Sequence, residues 1–253
     1  AEYQNEPSEN DDSESLKAEF LIDNMHHCEP GLVPLDVQKV VAFADVQKEC
    51  LYWMVVGFTD NFTGYIIDYG QWPEQKDKNI TLRNLRTTLS KLYPDTTLEH
   101  RLREALTGLS QSILDVNFKR EDNVELAVSR LMIDANWGQT RDVVYNWCRT
   151  SKWKAYVMPS HGRGIGASSQ PLNHGKSKKG GVKIGSHWRV ETSKEMPIRY
   201  CLYDANLWKS YTAARLKCPA GTEGSISIPK QNPREHKALV DNLIAEYPVR
   251  VEG

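Results

Sequence analysis

Residues 40–58, VVAFADVQKECLYWMVVGF, decide how the chain is read. Two apolar runs flank the polar triplet Gln47-Lys48-Glu49, the pattern of two strands joined by a tight turn, at about 39–46 and 50–58. Asp45 interrupts the first run directly after Val40–Ala44. A carboxylate among apolar neighbours is costly unless hydrogen bonds, a cation or a metal satisfy it. Asp45 is therefore a candidate functional group.

Working outward, Asp60-Asn61-Phe62-Thr63-Gly64 is turn chemistry, and GYIIDYGQW (64–72) gives a third strand. Three strands joined by tight turns make an antiparallel meander. Helical spacing follows: Leu82, Leu85 and Leu89 space one helix. Thr96 or Thr97 caps a second, with Leu98, Leu102, Leu106, Leu109 and Ile113 on one face. Val124–Ala135 holds a strand that ends at Asp134, and Thr140 caps a helix through Val143, Val144 and Trp147. KAYVMPS (154–160) is a further strand, and residues 161–186 read as a long mobile basic loop. Strands at about 187–192 and 198–203, a helix over 205–216, a short strand at Ser225–Ile228 and a helix over 233–246 complete the order. An antiparallel meander followed by strand–helix alternation implies an α/β mixed sheet with flanking helices. This order is compatible with a ribonuclease-H-like core.

The 253 residues suffice for one large domain, and the composition, 40% hydrophobic and 26% charged, is that of a chain with a real core. No apolar run approaches a membrane span and no signal peptide opens the chain. Cys28, Cys50, Cys148, Cys201 and Cys218 are odd in number and form no CxxC, so neither a zinc site nor a disulfide framework is indicated. A reducing cytoplasm fits. His26, His27 and Cys28 contain metal-binding groups but have no matching pair elsewhere in the sequence.

The net charge of −1 conceals an asymmetry. The first fifteen residues carry six acids and no base, which marks residues 1–30 as an acidic tail or linker ahead of a domain over 31–253. Val143–Val190 has no acid and nine Lys or Arg, a composition suited to a polyanion. Arg163, Lys176, Lys178, Lys179, Lys183 and Arg189 are the candidate DNA contacts in it, joined by Lys209 on the later helix. His161 and His174 read as further phosphate contacts in the loop.

Asp45 and Asp134 both end strands, and α/β sheets gather their sites at the carboxyl ends of strands. Oxygen ligands of this kind suit Mg²⁺ or Mn²⁺. Two such ions about 3.5–4 Å apart can activate water and stabilise a leaving oxygen in phosphodiester cleavage. Asp204, at a strand–helix junction, is either a third carboxylate or an N-cap. HGKS (174–177) imitates a phosphate-binding loop but has Gln170 where that motif needs glycine, so no ATP site is read.

GLVPLDVQKVVAFADVQKECLYWMVVGF (31–58), GYIIDYGQW (64–72), LMIDANWGQTRDVVYNWCR (131–149) and YDANLWKSYTAARL (203–216) together resemble a known family. It is the nuclease domain of the tailed-phage terminase large subunit, of the lambdoid type. The resemblance spans about residues 31–247 and implies a ribonuclease-H-like fold and metal-dependent cleavage of double-stranded DNA during genome packaging. It carries metal binding and catalysis onto Asp45 and Asp134, and the strand–helix step onto Asp204 and Lys209. The implied partners are a small terminase subunit and the procapsid portal, in the cytoplasm of a bacterial host. The family's packaging ATPase has no counterpart in this chain. The resemblance also implies a further acid beyond the element matched by Leu243-Ile244-Ala245-Glu246, and the chain stops at Gly253 before that segment would be complete. Other readings are a resolvase- or transposase-type nuclease, a non-catalytic DNA- or capsid-docking module, and an actin-like nucleotide-binding domain.

Overall fold

The computed structural model describes residues 16–77, 79–165, 170–172, 185 and 187–245. In chain order the elements begin with α1 (Ala18–Asp23), β1 (Leu32–Val33), β2 (Lys39–Val46), β3 (Leu51–Phe58) and β4 (Gly64–Trp72). There follow α2 (Leu89–Leu92), α3 (Leu98–Leu114), β5 (Asn117–Arg120), β6 (Glu125–Asp134), α4 (Arg141–Thr150) and β7 (Val157–Arg163). The chain continues with β8 (Trp188–Thr192), β9 (Arg199–Asp204), α5 (Ala205–Leu216), β10 (Ile226–Ser227), a 3₁₀ turn (Pro233–His236) and α6 (Lys237–Ala245).

The hairpin expected at 40–58 forms in register, Val46 opposite Leu51 and Lys39 opposite Phe58, and β4 adds the third antiparallel strand. The main path of the sheet runs β10-β4-β3-β2-β6-β7-β9-β8, with β5 and β1 continuing from β6 off that path. Strands β2, β6, β7 and β9 are mutually parallel neighbours, so their carboxyl ends share one edge. This is a mixed ten-stranded sheet with helices on both faces.

Alternation along β2 sends Val40, Ala42, Ala44 and Val46 to one face, where α3 and α4 bring Leu102, Leu106, Leu109, Ile113, Val144 and Trp147 into one core. Thr97 starts α3 by accepting a hydrogen bond from the His100 N–H at 3.2 Å. The other face packs Ile66, Tyr69, Met54 and Val56 against Leu21 of α1, Leu216 of α5 and Val240 of α6. Helix α1 thus docks on the sheet from within the stretch read as a tail.

Three expectations shift. The leucine-spaced helix from Leu82 shrinks to the single turn α2, and Leu82 is 53% exposed. Polar side chains claim the backbone there: Asn84 Oδ1 accepts from the Thr81 N–H, and Gln75 Oε1 accepts from the N–H groups of Arg86 and Thr87. Backbone groups held this way are not available to a helix. The seventh strand starts and ends three residues later than expected, because residues 153–157 close a turn, with the Tyr156 and Val157 N–H groups donating to Trp153 O. It therefore takes in His161 and Arg163, which the sequence pattern assigns to the loop. Finally, the helix expected over 233–246 is a 3₁₀ turn followed by α6, with Asn232 Oδ1 accepting from the Arg234 N–H at 3.1 Å.

Candidate active site

Ladder geometry brings together the two acids that lie 89 positions apart in the chain. Ala44 of β2 pairs with Ile133 of β6 in parallel, so Asp45 and Asp134, one residue on, are neighbours on the same face. Neighbouring strands lie about 4.8 Å apart. Both side chains are half-buried, at the carboxyl edge of the sheet. They point to the face opposite Ala44 and Ile133, which are themselves fully buried in the core.

Each carboxylate is held from its own loop. Gln47 Nε2 donates to Asp45 Oδ2 at 2.8 Å, and the Asn136 N–H donates to Asp134 Oδ1 at 3.3 Å. Burial pushes the Asp134 carboxyl above its ordinary value. The negative charge of Asp45 pushes the same way, against the N–H groups of Asn136 and Ala135, which pull it down. Tyr52 lies opposite Asp45 across the hairpin, and Ser160 lies opposite Asp134 on β7. Ser160 is fully buried, and its hydroxyl donates to Ile133 O at 3.2 Å, which ties the ends of β6 and β7.

Asp204 is not delivered to this pair. On β9, Cys201 is level with Ser160, and Asp204 pairs with Arg163 three residues further along. That offset corresponds to about 10 Å, and an odd step along a strand also reverses the face. Asp204 is instead buried at the N-terminus of α5, where Oδ1 accepts from the Leu207 N–H at 3.2 Å and Oδ2 lies 3.8 Å from His187 Nδ1. Of its two readings, the geometry displays the N-cap.

The basic residues divide as well. Arg163 is exposed at the end of β7, and Lys209 is exposed on α5, beside a cleft of about 390 Å³ shared with Trp208 and Asn242. Arg189 is turned inward: it is 7% exposed, its Nε donates to Glu191 Oε1 at 2.5 Å and its Nη1 donates to Leu172 O. Its guanidinium is engaged inside the fold. Lys176, Lys178, Lys179, Lys183 and His174 lie outside the described residues.

His161 differs from its loop reading too. Its Nδ1–H donates to Asn136 Oδ1 at 3.3 Å, leaving Nε2 to accept from the Tyr145 hydroxyl at 2.8 Å, and Tyr200 meets the ring edge-on. Burial and then the charge of Arg141 hold it below its ordinary pKa, in keeping with a neutral ring. It therefore orients the loop after Asp134 through Asn136. Among the site's neighbours, Gln47, Asn136 and Ser160 had no sequence signal beyond their closeness to the two acids and to strand ends.

Two facing acids at the carboxyl edge of four parallel strands, within a mixed sheet covered on both sides, give a layout compatible with an α/β nuclease. The chain belongs to the family described as terminase large subunit gpA, endonuclease domain, whose model matches residues 4–253. A search of the curated proteins and a search of the solved structures each found no match. Among the described residues no helix is long and apolar enough to cross a membrane.

Proposed function

We propose that this chain is a Mg²⁺- or Mn²⁺-dependent endonuclease of ribonuclease-H-like fold that cleaves double-stranded DNA concatemers during viral genome packaging. The observation that carries the reading is the placement of Asp45 and Asp134 on adjacent parallel strand ends, half-exposed and, among the described residues, without a cation as hydrogen-bond partner. An all-oxygen donor pair of this kind fits hard divalent cations and not softer ones. Bound there, such ions would supply an activated water and stabilise the leaving oxygen. The strand order supports the fold: the antiparallel trio β4-β3-β2 is extended beyond β2 by the parallel strands β6 and β7.

In this reading Gln47 and the Asn136 N–H orient the two carboxylates, and the hydrophobic strands behind them fix their separation. Arg163, Lys209 and the basic segment with Lys176, Lys178, Lys179 and Lys183 hold the DNA backbone by sequence-blind contacts. The wider setting is a bacterial host cytoplasm, with a small terminase subunit and the procapsid portal as partners.

The test is cleavage of supercoiled and linear plasmid in Mg²⁺ or Mn²⁺. Asp45→Asn and Asp134→Asn are expected to abolish nicking and cutting while leaving DNA binding in place. Parent-like cutting by both variants would overturn the assignment. Binding without cleavage by the parent under all metal conditions would instead favour a docking module.

A further inference from the structure

His26-His27-Cys28 lacks a partner in the sequence, and the fold supplies one. The turn joining β5 and β6 brings Glu121 beside them, 94 residues from His27. His27 Nε2 lies 2.8 Å from Glu121 Oε1, and one ligand atom from each of His27, Cys28 and Glu121 falls within 4.8 Å of the others. Among the described residues this is the one such triad of His, Cys, Asp or Glu. We propose that His27, Cys28 and Glu121 bind a single Zn²⁺ ion, with the fourth position open to the adjoining cleft.

The donor chemistry selects the metal. A thiolate, an imidazole and a carboxylate suit Zn²⁺, which is commonly held by three protein ligands and a water, whereas Mg²⁺ and Mn²⁺ favour oxygen alone. A thiolate and a carboxylate balance the two positive charges. The ligands are also pre-positioned from behind. The Leu35 N–H donates to Glu121 Oε2 at 2.8 Å, and the Cys28 N–H donates to His26 Nδ1 at 3.3 Å. His26 Nε2 in turn lies 3.0 Å from Ile66 O, which fixes that ring against β4. Such supporting contacts orient ligands at metal sites. Beside the triad opens a cleft of about 590 Å³, lined also by Asp36 and Tyr65, which has room for the fourth ligand.

The ion would act as a clasp. The segment entering the sheet is held to β5 by only two register pairs, Leu32 with Lys119 and Val33 with Arg120. Zinc would cross-link that segment to the β5–β6 turn just where the pairing is short. Glu121 precedes β6 and Asp134 ends it, so the length of the ten-residue strand, about 30 Å, separates this site from the paired acids. The two sites are independent.

The test uses the whole chain stripped with chelator and titrated with Co²⁺, then Zn²⁺. One Co²⁺ per chain is expected, with near-ultraviolet thiolate-to-cobalt charge transfer that Zn²⁺ abolishes by displacement. Cys28→Ser should remove the band, Cys218→Ser should retain it, and Glu121→Gln should weaken binding at least tenfold. His27→Ala, at an exposed position, should also weaken binding tenfold, and it carries the test if Cys28→Ser fails to fold. The band should persist in the Asp45→Asn/Asp134→Asn double variant, so failure of the nuclease reading and failure of this one are distinguishable. Absence of the band in the parent, its survival in folded Cys28→Ser, or parent-like affinity in His27→Ala would overturn the zinc site.

Discussion

Replacing Asp134 by asparagine is expected to stabilise the metal-free protein at neutral pH. The two carboxylates stand on strands about 4.8 Å apart. Taking the charges about 5 Å apart, their repulsion is about 3 kcal/mol at an effective dielectric of 20 and about 0.8 kcal/mol in bulk water. Both groups are half-exposed, so the lower part of that range applies, about 1 kcal/mol. Asparagine removes the repulsion and keeps an oxygen for the Asn136 N–H. In a domain of this size about 1 kcal/mol shifts the melting temperature by about 2–4 °C.

The pH dependence follows from the direction of the Asp134 shift. Burial first, with the Asp45 charge adding to it, puts its folded pKa above its unfolded one, so the folded chain binds the proton more tightly. Below both values Asp134 is neutral in either state, and the repulsion is absent. As pH rises through the window between them the parent loses stability, and the full deficit stands above the folded value. Thermal unfolding in chelator should therefore show parent and Asp134→Asn converging at acid pH and diverging towards pH 7. Added Mn²⁺ should close the gap by stabilising the parent. A variant less stable than the parent at pH 7 in chelator, or a gap independent of pH, would refute the repulsion argument.

Asp204→Ala is expected to cost about 0.5–2 kcal/mol through removal of the helix cap, while cleavage follows the folded fraction. Complete loss of cleavage in folded Asp204→Ala would place that carboxylate in the metal site instead. Neutralising Lys176, Lys178 and Lys179 should reduce the salt slope of DNA binding by about 0.9 for each phosphate whose charge is no longer matched by a lysine. Arg189→Ala should leave that slope unchanged and lower the melting temperature, because it removes a partner of Glu191 and Leu172 O. Gly108→Ala in α3 would press a methyl group into the Trp72 ring, with an expected loss of about 1–3 kcal/mol by chemical denaturation.

Much of the fold was legible because its signals are local. The apolar–polar–apolar pattern of residues 39–58 specifies a hairpin through side-chain alternation and turn chemistry, and the spacing from Leu98 to Ile113 specifies α3 through helical period. Where polar side chains compete for the backbone, as Gln75 and Asn84 do before α2, apolar spacing misleads, because it does not register the competing side-chain bonds. Strand β5, four residues with little apolar character, is defined by its pairing with β1 and β6 and has no pattern of its own.

The site divides along the same line. Asp45 and Asp134 were legible as acids closing apolar strands, since a carboxylate in that setting needs a partner whatever the fold. That they are each other's neighbours depends on the parallel register of β2 with β6, a long-range pairing that no local pattern encodes. The register of β9 with β7 likewise sets Asp204 apart, and the folding of Arg189 onto Glu191 withdraws a cation that composition counts as available. Which groups carry charge and which segments alternate is written locally in the chain. Which charges meet is set by long-range pairing, because a strand's neighbours are chosen by the burial of whole faces, between residues far apart in the chain.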